Sequence, residues 1–379
     1  MKQSVVILAI AVTLGLSACA PGLKYSNQSL FQDYGREVIV TPFVPGSIDD
    51  YFRTTSRQGL LWDEGWLSAS LQSASGKRYG LVRGYEKTHS NIIISFTMRD
   101  DLAGVSTRLF KKLYTGKIAF DRIDGKDAAI VKSYPARHSF EIQLGVHKIH
   151  WREEGGVVDL EFESLGPALS YYFPGVRIKE GLYYTAEVFR CTGTIRGERV
   201  SGYGSLDQAW LPRGMDWFQS KGFLFFEDLW LVWANRYRDG STDYGVVISG
   251  PENWNVCFAV DGTEVTAPTE NAVAVTWAPQ GYPARVDVTM DHGQRQFQWH
   301  CQRRILEVKG MALWANGQMV NLARKEPPVE GYAWVEGITF HRKHIPYPLA
   351  RFGSRCLMHL PDSLKSRIYE RMFLSGMQD

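Results

Sequence analysis

The chain has little of what the common catalytic machineries need. Gly-x-Ser-x-Gly, the phosphate-binding P-loop and His-Glu-x-x-His are all missing, which removes the familiar serine-hydrolase, nucleotide-phosphate and zinc-peptidase readings. Cysteine is scarce, at 5 residues, and no Cys-x-x-Cys pair occurs. A thioredoxin-like dithiol and a compact zinc module are therefore not encoded. An excess of one charge is lacking too. The 43 Lys plus Arg face 40 Asp plus Glu, and the basic residues are scattered, whereas a nucleic-acid binder presents a clustered basic footprint. Beyond the first residues, no apolar run approaches the about 20 residues of a membrane-crossing helix. Histidines offer no metal site. His147 and His150 lie in or beside an apparent strand, where residues three apart point to opposite faces. Proline after His341 and His344 opposes a helix that would join them, and adjacent strand residues such as His300 and Cys301 diverge. No metal and no cofactor is expected.

The amino terminus is a targeting signal. Lys2 precedes the short apolar run "VVILAIAVTLGL", which is too short to span comfortably. Leu16, Ser17 and Ala18 then lead to Cys19. This resembles the bacterial lipoprotein cleavage box, which implies removal of residues 1–19 up to a lipidated Cys19. Ala20, rather than aspartate, follows the cysteine; by the same resemblance that favours a periplasm-facing outer-membrane location. Cys191, Cys257, Cys301 and Cys356 remain. Four cysteines allow three full pairings, and their spacing does not choose among them or exclude free thiols.

What is abundant is alternation. Val158, Leu160 and Phe162 alternate with Asp159, Glu161 and Glu163; Val286, Val288 and Met290 alternate with Arg285, Asp287 and Thr289. "SFEIQLGV" and "NAVAVTWA" repeat the pattern. Period two marks half-buried strands. Asp124-Gly125, Asp239-Gly240, Asp261-Gly262 and Asn316-Gly317 punctuate these runs and predict hairpins. Hairpin-linked strands without intervening helices predict antiparallel sandwiches or barrels. Helical periodicity is credible mainly in "PDSLKSRIYERMF", with Leu364, Ile368 and Met372 on one stripe and Asp362 or Ser363 as cap. The predicted division is a signal at 1–19, a tether at 20–45, a first barrel at 46–214, a second at 215–345 and a helical tail at 346–379.

Aromatic residues make up 13% of the chain, including 12 Trp. Most fit the half-buried surface of a sheet, and the remainder suit a pocket for a greasy ligand. One acid stands among them, in "SGYGSLDQAW". Asp207 there either performs chemistry or satisfies backbone groups at a strand end.

The segment "YYTAEVFRCTGTIRGERVSGYGSLDQAW", from Tyr183 to Trp210, resembles a tandem lipocalin-like superfamily that includes carotenoid 1,2-hydratase and kievitone hydratase. The hairpin "LLWDEGWLSASLQSASGKRYGLVRGY" and the close "EGYAWVEGITF" resemble its other elements. The resemblance implies an all-β chain of two tandem lipocalin-like antiparallel barrels with a short C-terminal helix. It implies Asp207 as general acid, Gln208 orienting water or the acid, and Glu336 as a second acid from the other barrel. Tyr203 and Trp210 would line a cation site, with Trp62, Glu64 and Trp66 in the same cavity. The chain departs from the pattern at Gln208, where the hydratases tend to carry His, and at Leu211, where they carry Gly.

Three classes are left. The protein is an envelope hydratase, lyase or cyclase acting on a hydrophobic isoprenoid-like molecule, a lipid or hydrophobic-ligand carrier, or a structural envelope lipoprotein. Its expected partners are a hydrophobic small molecule or lipid and the membrane reached through the anchor. Cys19→Ser is predicted to move the protein from the membrane to the soluble fraction; full retention in the membrane pellet would overturn the anchor.

Overall fold

The computed structural model describes residues 39–338, apart from 52–56, 88–91, 103–104, 124, 134–140, 174–181, 213–228, 250–254, 269, 279–282 and 309–311. The predicted signal and the predicted tail helix lie outside the described residues, as does Cys356. Cys191, Cys257 and Cys301 are free thiols, the first two buried.

The described chain is all β and forms two antiparallel sheets. The first contains β1 (Ile39–Phe43), β2 (Leu61–Ser73), β3 (Arg78–Lys87), β4 (Ile92–Leu102), β5 (Val105–Ile123), β6 (Lys126–Ser133), β7 (Glu141–Gly145), β8 (Lys148–Arg152), β9 (Val158–Ser164), β10 (Ala168–Phe173), β11 (Leu182–Ile195) and β12 (Glu198–Leu211). Long β11 pairs with β10 through its first half and with β9 through its second. That second pairing closes a ring of β2 to β9, β11 and β12 among the described residues, so those strands have no free edge. Residues 39–43 were expected in the tether. They form β1 by pairing with the distant β10.

The second sheet contains β13 (Leu229–Arg236), β14 (Thr242–Ser249), β15 (Asn255–Asp261), β16 (Glu264–Thr266), β17 (Asn271–Trp277), β18 (Pro283–Met290), β19 (Arg295–Val308), β20 (Ala312–Asn321) and β21 (Glu330–Ile338). It curls until β15 and β17 touch, without a ladder between them. Three of the predicted turns join neighbouring strands, at Gly125, Asp239-Gly240 and Asp261-Gly262. Asn316-Gly317 does not. It lies inside β20, where Cys301 is the ladder partner of Gly317. A Cβ on Gly317 would meet the His300 carbonyl at 2.0 Å and the Trp299 ring at 2.4 Å. This glycine serves close approach within a sheet rather than a turn.

The predicted alternation is present in both cores. Val158, Leu160 and Phe162 point into the first barrel, and Val286, Val288 and Met290 pack in the core of the second sheet. Side chains fill the first interior, including Trp151, Tyr79 and Tyr85. A charge pair is buried there as well. Arg83 donates to Glu153, Trp151 Nε1 donates to Glu153 at 2.6 Å, and the Arg83 guanidinium lies 5.6 Å from the Trp151 ring centroid.

One end of this barrel is plugged by the lead-in between β1 and β2. Ile48 and Tyr51 join the core, and Tyr51 Oη donates to Glu187 at 2.8 Å. Arg57 pairs with Asp50 and lies 5.7 Å from the Tyr183 ring and 5.8 Å from the Trp210 ring. These contacts hold the lead-in against the core at this end of the first barrel. Removing one member of a buried ion pair strands the other, so Glu153→Gln is predicted to cost about 3–5 kcal/mol. Denaturant unfolding measures this, and a loss below about 1 kcal/mol would show that the pair does not hold the barrel.

Candidate functional site

The geometry of β12 decides which predicted residues meet. Successive strand residues point to opposite faces. Leu206 and Trp210 belong to the first barrel core. Tyr203, Ser205 and Asp207 therefore lie on the outer face, toward the second sheet. Gly204 lets the strand bend closely over the interior, since a Cβ there would meet the Ser68 carbonyl at 2.4 Å and the Phe162 ring at 2.8 Å.

The neighbouring strand β2 is sorted by a bulge. Register shifts between Ala209 and Trp210, so Trp62 pairs with Trp210 and Glu64 with Ala209. The extra residue, Asp63, reverses the alternation. Trp62 consequently lies in the barrel core, while Glu64 and Trp66 fall on the outer face with Asp207. Trp66 is the direct ladder partner of Asp207, close enough for side-chain contact.

The second sheet turns a complementary face to this one. Leu231, Trp233, Ala333 and Val335 point into its own core. The alternate positions Trp230, Val232, Tyr332 and Trp334 are buried as well, and Glu336 continues that face. Direct bonds cross the gap. Ser68 Oγ lies 3.2 Å from Tyr332 Oη and 2.8 Å from Ser205 Oγ, and Asn316 Nδ2 donates to Ser70 Oγ at 3.2 Å.

Asp207 occupies this inter-sheet layer. Tyr184 Oη donates to its Oδ2 at 2.8 Å, and Tyr184 is held by stacking on Tyr171 with 5.1 Å between centroids. No other side-chain bond to Asp207 is present among the described residues. Burial pushes its carboxyl up to about 7, and the Tyr184 hydroxyl opposes that rise only in part. Asp207, Trp66 and Glu336 nevertheless stay half-buried between buried neighbours, so accessible surface reaches the acid. Asp243 in the second sheet is a useful contrast. It is raised by burial as well, but accepts from Trp233, Asn235, Tyr237 and Asn321. Asp243 is saturated by donors, whereas Asp207 keeps acceptor capacity in reserve.

The predicted constellation thus divides. Asp207, Tyr203, Glu64, Trp66 and Glu336 lie on the mutually facing surfaces. Trp62, Gln208 and Trp210 lie in the first barrel. Gln208 does not orient Asp207: its Nε2 donates to the Asp50 carbonyl at 3.1 Å and ties down the plug. Trp210 packs edge-on to Tyr183 at 5.4 Å between centroids. Adjacent strand residues fall on opposite faces, which separates these two groups. Tyr184, Ser68, Ser205 and Tyr332 were missed. Parity with Asp207 would have found Ser205, whereas Tyr184 joins the same face only through the register of β11 with β12.

No family model matches the chain, and a search of curated proteins found no match. Among solved structures, the chain is similar to a Nitrosomonas europaea protein provisionally named AttH, at 14% identity and a TM-score of 0.48, over 79% of this chain and 99% of that one. CghA, in a structure with Sch210972, matches at 12% identity and a TM-score of 0.47, over 80% and 98% of the two chains. Kievitone hydratase from Nectria haematococca matches at 10% identity and a TM-score of 0.38, over 78% and 96%.

The high native pKa carries a stability signature. Asp207 holds its proton to about pH 7 in the fold, against about 3.9 in an unfolded chain. Ionising it inside the protein therefore costs stability progressively as pH rises from about 4 to about 7, and the cost levels off above that. Asp207→Asn is predicted to match the parent near pH 4 and to exceed it above pH 7 by up to about 4 kcal/mol. Denaturant midpoints across that range test this; equal midpoints at high pH would place the carboxyl in a wetter setting.

Proposed function

We propose that the inter-sheet face is an acid-catalytic site for a hydrophobic, alkene-bearing substrate, working as a hydratase or in reverse as a lyase. The observation that carries the reading is Asp207: a half-buried carboxyl raised to about 7, with one side-chain donor and a tryptophan as ladder partner. Protonating an isolated alkene needs an acid that keeps its proton near neutrality, which burial provides. Asp207 gives that proton to one alkene carbon, and the electron pair of the double bond forms the new C–H bond. The adjacent carbon becomes a cation, which the face of Trp66 stabilises. Water adds to the cation and releases a proton, restoring the Asp207 carboxylic acid. Glu336, on the facing sheet, is the second carboxyl in this reading: it takes up the one proton that the incoming water loses and passes it back to Asp207. Tyr184 sets the acid strength, because its hydroxyl favours the carboxylate.

The same proposal places the protein in the cell envelope, held by lipid on Cys19, where hydrophobic substrates are at hand. The place of Asp207 on the outer face of β12 favours a site between the sheets over one inside the first barrel.

The test is incubation with an envelope lipid extract and mass spectrometry of the products. A product heavier or lighter by one water is expected, with Asp207→Asn slowed by about 100-fold or more. Turnover should fall as pH rises past about 7. Tyr184→Phe removes the hydroxyl that favours the carboxylate, so it should move that limb to higher pH. A retained but chemically unchanged lipid would replace catalysis with carriage.

A further inference from the structure

The inter-sheet space opens beyond Tyr203 and Tyr332 into a cleft of about 680 Å³. Its lining differs from the aromatic surroundings of Asp207. Arg78, Arg199 and Arg236 border it, together with the amide of Gln72. Arg236 is committed, since its Nε donates to Glu330 at 2.9 Å. Arg199 has no ion pair among the described residues, and neither has Arg78. Both are exposed. Arg78, Gln72 and Ser201 lie in register on three adjacent strands, and Arg199 shares the face of Ser201 on β12. The row therefore presents guanidinium and amide donors to one side of the cleft, and Glu330, the carboxylate among its described lining residues, is already paired.

We infer that this cleft binds the oxyanionic end, carboxylate or phosphate, of an elongated amphiphile. Guanidinium groups match such oxygens with paired, charge-assisted bonds. β12 supplies the direction. Arg199, Tyr203 and Asp207 all lie on its outer face, and eight residues of strand span roughly 27 Å. The charged end is held by Arg199 and Arg78, and the apolar chain runs along β12 past Tyr203 and Ser205 toward Asp207. This last placement rests on the function proposed above; the anion site itself does not. A larger cleft of about 1080 Å³ on the rim of the first barrel lacks that character. Charges of both signs line it, with ion pairs at Arg122–Asp127, 3.3 Å, and Lys148–Glu163, 3.9 Å.

Calorimetric titration of the full chain with dodecanoate, dodecyl phosphate and dodecanol tests the inference. Both anions are expected to bind at least about 10-fold more tightly than the alcohol, the scale of one charge-assisted contact. Whichever anion binds more tightly identifies the headgroup. The double variant Arg199→Gln/Arg78→Gln should lose that preference while keeping its thermal midpoint, because both side chains are exposed. Equal binding of alcohol and anion, or an undiminished preference in the double variant, would overturn the site. Asp207→Asn separates the two readings. Anion preference without any Asp207-dependent turnover leaves the cleft standing and removes the catalytic reading. Asp207-dependent turnover without anion preference does the reverse.

Discussion

The architecture depends on the two-sidedness of β12. One strand supplies Leu206, Gln208 and Trp210 to the first barrel, and Tyr203, Ser205 and Asp207 to the layer between the sheets. The pleat leaves no alternative, because a one-residue slip would exchange every side chain between the faces. Such a slip would bury Asp207 in a filled core and expose Trp210. Register is therefore pinned from both sides, by packing within the barrel and by the hydroxyl contacts among Ser68, Ser205 and Tyr332.

Buried charge is handled in two ways. Arg83 with Glu153, and Asp243 with its amide, indole and phenol donors, are compensated groups that shape their surroundings. Asp207 is desolvated but sparsely bonded. A low-dielectric setting penalises an ionised group unless partners offset the loss, and a group left without them retains its proton. That difference in partner number, more than depth of burial, separates a structural acid from one suited to proton transfer.

The strands were legible because alternation is local. Val158 to Phe162 and Val286 to Met290 announce their faces without reference to anything distant. The turn assigned to Asn316-Gly317 was wrong for a non-local reason: the crowding of Gly317 by Trp299 and His300 arises only once β19 and β20 are paired. β1 was hidden in the same way, since its partner β10 lies far along the chain. At the site, the residue types were readable and their grouping was not. Assigning Gln208 and Trp210 to the neighbourhood of Asp207 ignored the pleat. The bulge at Asp63, which sends Trp62 inward and Trp66 outward, depends on the register with β12 and leaves no mark in the local pattern.

That bulge and that pleat place two kinds of work on separate surfaces of the same strands. Positions 202, 204, 206, 208 and 210 answer to the barrel, and positions 203, 205 and 207 answer to the layer between the sheets. Ser205 shares in pinning the register, whereas Asp207 can be exchanged with the barrel core left in place. On such a strand one face can diverge while the shape held by the other persists.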